Sequence, residues 1–153
     1  MLKKLFIVLI LLSAFLACRK NDGLIPNVSV NEYIDLNLPS YSNLNAVNNW
    51  IYYPAGAKGL IIFRKSTTEF VAYERACTFD PNTSGAVVYM LPNGIDARDS
   101  ICGSKFFIFD GSIMNGPASR PLQQYRCTYN ISINQLHIYN WSLITRNKKG
   151  DEN

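Results

Sequence analysis

Residues 99–125, DSICGSKFFIFDGSIMNGPASRPLQQY, decide the fold. Within them Phe106-Phe107-Ile108-Phe109 and Ser112-Ile113-Met114 are two β-prone runs separated by Asp110-Gly111. Glycine supplies the positive φ that a type I′ turn requires, so this segment predicts a tight hairpin. Upstream, Gly59–Arg64 and Phe70–Glu74 read as two strands joined by a polar turn at Lys65–Thr68, one of them apolar enough to be buried on both faces. Ala86–Met90 reads as another strand. Downstream, Tyr125–Tyr129 and Leu136–Tyr139 form a last pair joined near Asn134-Gln135.

Nearer the N-terminus, Val28, Val30, Ile34, Leu36 and Leu38 share one parity, interrupted only by Glu32, which is strand periodicity. Leu38-Pro39-Ser40 ends that run, the Asn-rich stretch 42–49 offers turn chemistry, and Trp50–Tyr53 begins the next β-prone segment. No window after Cys18 sustains a helical period, and β-branched and aromatic residues dominate. These observations predict an all-β domain, with a sandwich and a small barrel equally compatible, and two loops, Cys77–Gly85 and Asp96–Lys105, whose content separates them.

The chain has 153 residues, 48% of them apolar, which suits one domain with a sizeable core. Met1-Leu2-Lys3-Lys4 precedes an apolar run that reaches Ala17, the layout of an export signal. That run of about 13 residues is shorter than the roughly 20 that cross a bilayer as a helix. Phe15-Leu16-Ala17-Cys18 resembles a bacterial lipobox, with Phe15 in place of the usual leucine. It implies a signal peptide over 1–17, acylation (palmitate or a similar chain) on Cys18, and a tether over 18–27. Each buried methylene of an acyl chain contributes about 0.8 kcal/mol, so several chains hold a domain at a membrane without a protein span. The expected location is the cell envelope, on the outer membrane or the periplasmic side of the inner membrane. An ordinary secretory cleavage near Cys18 is the alternative.

Losing Lys3 and Lys4 with the leader lowers the basic count from 15 to 13, against 11 acidic residues. Arginines and lysines are scattered apart from Arg146-Asn147-Lys148-Lys149, so no stripe for a phosphate backbone is visible and nucleic acid is not an expected partner. Residues 146–153 read as a polar, solvated tail.

Taken together, FVAYERACTFDP (70–81), residues 99–125 and LHIYN (136–140) resemble Rieske domains, specifically the Rieske-like lipoproteins of Bacteroidetes-type bacteria. The resemblance is strongest over 59–140. It implies an antiparallel β domain of the iron–sulfur-protein type over 28–145, with two cluster-binding loops, Cys-x-His and Cys-x-x-His-Gly-Ser-x-Phe. A Gly-Pro-Ala segment and a downstream Pro-Leu fold against the cluster end in that family. Gly103-Ser104-Lys105-Phe106, Gly116-Pro117-Ala118 and Pro121-Leu122 match those features.

The ligands do not. In a Rieske centre two cysteines hold one iron and two histidines the other. At the four matching positions this chain has Cys77, Phe79, Asp99 and Cys102, and its only histidine, His137, lies in a late strand. The resemblance therefore implies a degenerate site with no catalytic residue and no cofactor or metal expected, the alternative being a [2Fe-2S] electron-transfer protein with an oxidoreductase partner. A mixed sulfur and oxygen tetrahedron from Cys77, Cys102, Asp99 and Asp80 is a further possibility, since zinc accepts such donors. The facing loops of a Rieske scaffold make Cys77 and Cys102 neighbours, and an oxidising compartment favours a disulfide between them. Closing about 25 residues would contribute roughly 3.5 kcal/mol.

Cys127 shares parity with Tyr125, Tyr129 and Ile131 and reads as an inward spectator thiol, and His137 as a hydrogen-bonded strand residue. Phe79, Pro81, Ile101 and Pro117 would form an apolar tip, either a contact surface or a cover over the vacated pocket. The expected function is a binding or assembly role for a monomer at the envelope with a possible envelope protein partner. A thiol–disulfide redox role for Cys77 and Cys102 is a third reading.

Overall fold

Short apolar and alternating runs become paired strands, joined by turns and loops, along residues 24–140, the part of the chain that the computed structural model describes. The leader, Cys18, most of the tether and residues 141–153 lie outside the described residues. The fold is nearly all-β, with antiparallel pairing throughout. The antiparallel β architecture expected of a Rieske-like domain is present.

Ten strands are described: β1 (Asn31–Asp35), β2 (Trp50–Tyr53), β3 (Leu60–Arg64), β4 (Phe70–Glu74), β5 (Val88–Met90), β6 (Asp96–Asp99), β7 (Lys105–Phe107), β8 (Ile113–Asn115), β9 (Gln124–Asn130) and β10 (Gln135–Tyr139). Six form one sheet in the order β1-β10-β9-β4-β3-β2, and β5-β6-β7-β8 form a second. One short 3-10 helix, Pro39–Asn45, crosses between β1 and β2.

Both β3 and β4 are buried along their whole length, where burial on both faces was expected of one of them. Successive strand side chains point to opposite faces, which splits these two strands between two cores. Ile61, Phe63, Val71 and Tyr73 face the small sheet and pack with Val88, Met90, Ala97, Phe106 and Ile108. Leu60, Ile62, Phe70 and Ala72 pack with Val30, Ile34, Leu36, Leu44, Leu136 and Ile138 on the other side. At about 25 cal/mol per Å² of apolar surface, these clusters are the main source of stability.

Four local expectations change. Leu38 is exposed, because the chain leaves β1 after Asp35 and Leu38 stands just before the 3-10 helix. Ile131, past the end of β9, turns out to solvent instead of continuing the inward row of Tyr125 and Cys127. Asp96–Asp99, expected as loop, is β6, paired to Val88–Met90 and Asp96–Arg98 to Lys105–Phe107. The Asp110-Gly111 turn is also longer than type I′. Ile108 drops into the core, and its N–H bonds Ile95 O at 2.9 Å, so the β7–β8 connection runs over 108–112. Gly111 still takes φ +74° and donates to Phe107 O at 2.8 Å, while Asp110 Oδ1 accepts the Ser112 N–H at 2.9 Å.

Candidate functional site: a thiol and carboxylate cluster between two loops

Two loops meet at the open end of the small sheet. The first leaves β4 at Arg75, is pinned by an Ala76–Val87 bridge, and carries Cys77 and Asp80. The second joins β6 to β7 and carries Cys102, with Asp99 at its root. One sulfur or carboxylate oxygen from each of Cys77, Asp80, Asp99 and Cys102 lies within 4.8 Å of the others. All four residues singled out from the sequence as a mixed donor set are thus brought together.

The loops are held by side chains aimed at backbone. Glu74 is fully buried and accepts four hydrogen bonds, from Ala57 N at 2.7 Å, Lys58 N at 2.9 Å, Ala76 N at 3.0 Å and Tyr125 Oη at 2.9 Å. A carboxylate offers about four lone-pair sites, so its capacity is filled. The bond to Ala76 N fixes the backbone directly before Cys77. Lys58 Nζ donates to Thr83 O at 2.8 Å and Ala86 O at 2.9 Å, tying down the far side of the same loop. Thr78 Oγ1 donates to Arg120 O at 2.7 Å and Arg120 Nη2 returns a bond to Thr78 O at 3.0 Å. No local sequence signal marks Glu74 or Lys58 for these tasks.

In the second loop Asp99 Oδ1 accepts the N–H groups of Ile101 at 2.8 Å and Cys102 at 2.6 Å. Gly103 takes φ +76°, and Ser104 then turns inward to accept the Ala118 N–H at 2.9 Å. This bond holds the Gly116-Pro117-Ala118 segment against the loop end. Ser104 Oγ also lies 3.1 Å from Cys102 Sγ.

Cys77 Sγ and Cys102 Sγ are 3.5 Å apart, as two thiols. A disulfide requires about 2.05 Å, so the two cysteines are the expected neighbours without the expected bond. Burial above all pushes the Cys77 thiol up; a backbone hydrogen bond from Phe79 opposes the shift, while Cys102 and Asp99 add to it. A thiol held protonated is a poor nucleophile, which disfavours a thiol–disulfide catalytic role. Phe79 is half-buried and packs against the core cluster of the small sheet, Pro81 is buried, and Ile101 and Pro117 are exposed. Half of the expected apolar tip therefore turns inward as cover.

A Rieske cluster does not fit these residues. Phe79 has no donor atom, and the single histidine of the chain sits on β10 in the other sheet. There its Nε2 lies 2.7 Å from Asn31 Oδ1, and its ring stacks on Tyr33 at 4.0 Å and Tyr139 at 4.5 Å. His137 is thus the hydrogen-bonded strand residue expected. Cys127 is half-buried on β9 against the larger sheet's core, where burial pushes its thiol up to about 12.

No family model matches the chain. No curated protein matches it either. A solved structure described as an NADH-dependent nitrite reductase small subunit from Mycobacterium tuberculosis is similar, with 11% identity and a TM-score of 0.44, over 76% of this chain and 100% of that one.

Proposed function

We propose that this chain is a membrane-anchored lipoprotein of the cell envelope whose Rieske-like β domain works without a [2Fe-2S] cluster, through binding or assembly. The observation that carries the reading is the pair of facing loops, which bring Cys77 and Cys102 together while Phe79, where the resemblance calls for a histidine, packs half-buried against the core. The leader and Cys18 support the anchor on sequence grounds alone. Exposed Ile101 and Pro117 at the loop end supply an apolar contact for an envelope partner.

In an oxidising envelope the Cys77 and Cys102 thiols close to a disulfide. Two protons and two electrons leave, and the electrons reduce the disulfide of an oxidant protein or small molecule to two thiols. The sulfurs move together from 3.5 Å. Intact-mass and iron analysis of the protein isolated from its membrane tests the whole reading. A chain that begins at Cys18, carries acyl chains, lacks two hydrogens and contains no iron is the expected result. Stoichiometric iron with a Rieske-type electron paramagnetic resonance signal would replace the reading with electron transfer.

A further inference from the structure

Two buried carboxylate oxygens at the loop end have no hydrogen-bond partner, Asp99 Oδ2 and Asp80 Oδ1. Asp99 is 1% exposed, and its other oxygen is fully used by the Ile101 and Cys102 amides. A buried acceptor left empty is costly, so native proteins pair such atoms or use them on a ligand. Both orphan oxygens belong to the residues whose donor atoms converge with the two sulfurs. A cation satisfies two thiolates and two carboxylates at one point.

We infer that the reduced form of this site binds one zinc-class divalent ion through Cys77, Asp80, Asp99 and Cys102. Zinc takes tetrahedral sulfur and oxygen donors, and bonds of about 2.3 Å place two thiolates on one ion about 3.8 Å apart. The observed sulfur separation of 3.5 Å is close to that edge. All four donors lie within 4.8 Å, which suits a single ion, whereas a two-iron cluster divides its ligands between two metals. Polar groups surround the donors: Ser104 Oγ stands beside the Cys102 sulfur, the Phe79 backbone beside Cys77, and a Cβ on Gly103 would meet Arg98 Nη2 at 3.3 Å, which puts one positive guanidinium against the loop. Such outer partners tune affinity. Zinc binding displaces the two thiol protons to solvent and changes no oxidation state. Disulfide formation removes both sulfur ligands, so metal and disulfide are alternative closures of the same loops.

The inference rests on the cluster-free reading, and iron content separates the two. The test uses the full-length protein, reduced with a phosphine and equilibrated with zinc alone, then with cobalt alone. One zinc per chain and a tetrahedral cobalt spectrum with thiolate charge-transfer bands are expected. Asp99→Asn keeps an acceptor for the Ile101 and Cys102 amides and removes the orphan oxygen. It should weaken zinc at least tenfold, and Cys102→Ser at least a hundredfold, at or above the ~10–100-fold usual for losing an outer partner. Oxidation to the disulfide should release the ion. Absence of stoichiometric zinc in the reduced, iron-free chain overturns the inference and leaves the cluster-free reading standing; so does zinc retained after oxidation. Iron in the isolated protein overturns the reading itself. The cobalt spectrum of the unsubstituted chain decides the matter even where a variant does not fold.

Discussion

Replacing Glu74 by alanine tests whether one buried carboxylate organises the approach to the cysteine loop. The substitution strands four donors, of which Ala76 N and Tyr125 Oη belong to residues 0% and 2% exposed. The Ala57 and Lys58 amides are only partly buried and can turn to water. Leaving a buried donor unsatisfied costs about 1–3 kcal/mol, so the two buried ones cost roughly 2–6 kcal/mol together. Against a net stability of about 5–15 kcal/mol this is a large fraction. At about 3–4 °C per kcal/mol for a domain of this size, the melting temperature should fall by roughly 6–24 °C. Glu74→Gln keeps two acceptor sites and places an amide group against donors, so it should fall between wild type and alanine. Calorimetry of the three proteins at neutral pH checks the order. A drop below about 2 °C for Glu74→Ala would refute the claim that these bonds hold the loop.

Gly111→Ala should cost about 2–4 kcal/mol of stability and lower the urea midpoint accordingly, because φ is +74° and the new Cβ would stand 2.7 Å from Tyr73 Cε1; an unchanged midpoint would show that Tyr73 yields. Arg64 donates to Leu44, Asn45, Ser66 and Thr67 carbonyls and lies over the Phe70 and Tyr129 rings. Arg64→Lys, with one compact ammonium in place of a planar fork, should lose about 1–3 kcal/mol in the same assay, and a neutral result would discount the fork. Cys127 has a folded pKa of about 12 against 9.0 for the free thiol. A raised value means its contribution is fully present below pH 9 and is lost as pH climbs through 12. Stability of the wild type should thus fall more steeply over that window than that of Cys127→Ala, and parallel slopes would reject burial of this thiol as the cause.

Strand existence was legible because its signals are local: side chains two apart share a face, so β1, β9 and β10 show parity in short windows, while β3 and β4 show unbroken β-prone apolar runs. Asp96–Asp99 did not, since its DARD sequence has β character only through Val88–Met90 on one side and Lys105–Phe107 on the other. The same distinction governs the site. That Phe79 and a lone distant histidine exclude a Rieske centre follows from residue identity alone. Four donors within 4.8 Å, with two orphan oxygens among them, exist only because loops separated by a hairpin of chain are drawn to one end of the small sheet. Glu74 belongs to the tertiary side too: its place at the end of an apolar strand carries no message until Ala57, Lys58, Ala76 and Tyr125 converge on it. Covalent neighbours set the period of a strand, whereas burial and partners of a polar atom depend on chain segments that only folding brings within hydrogen-bond reach.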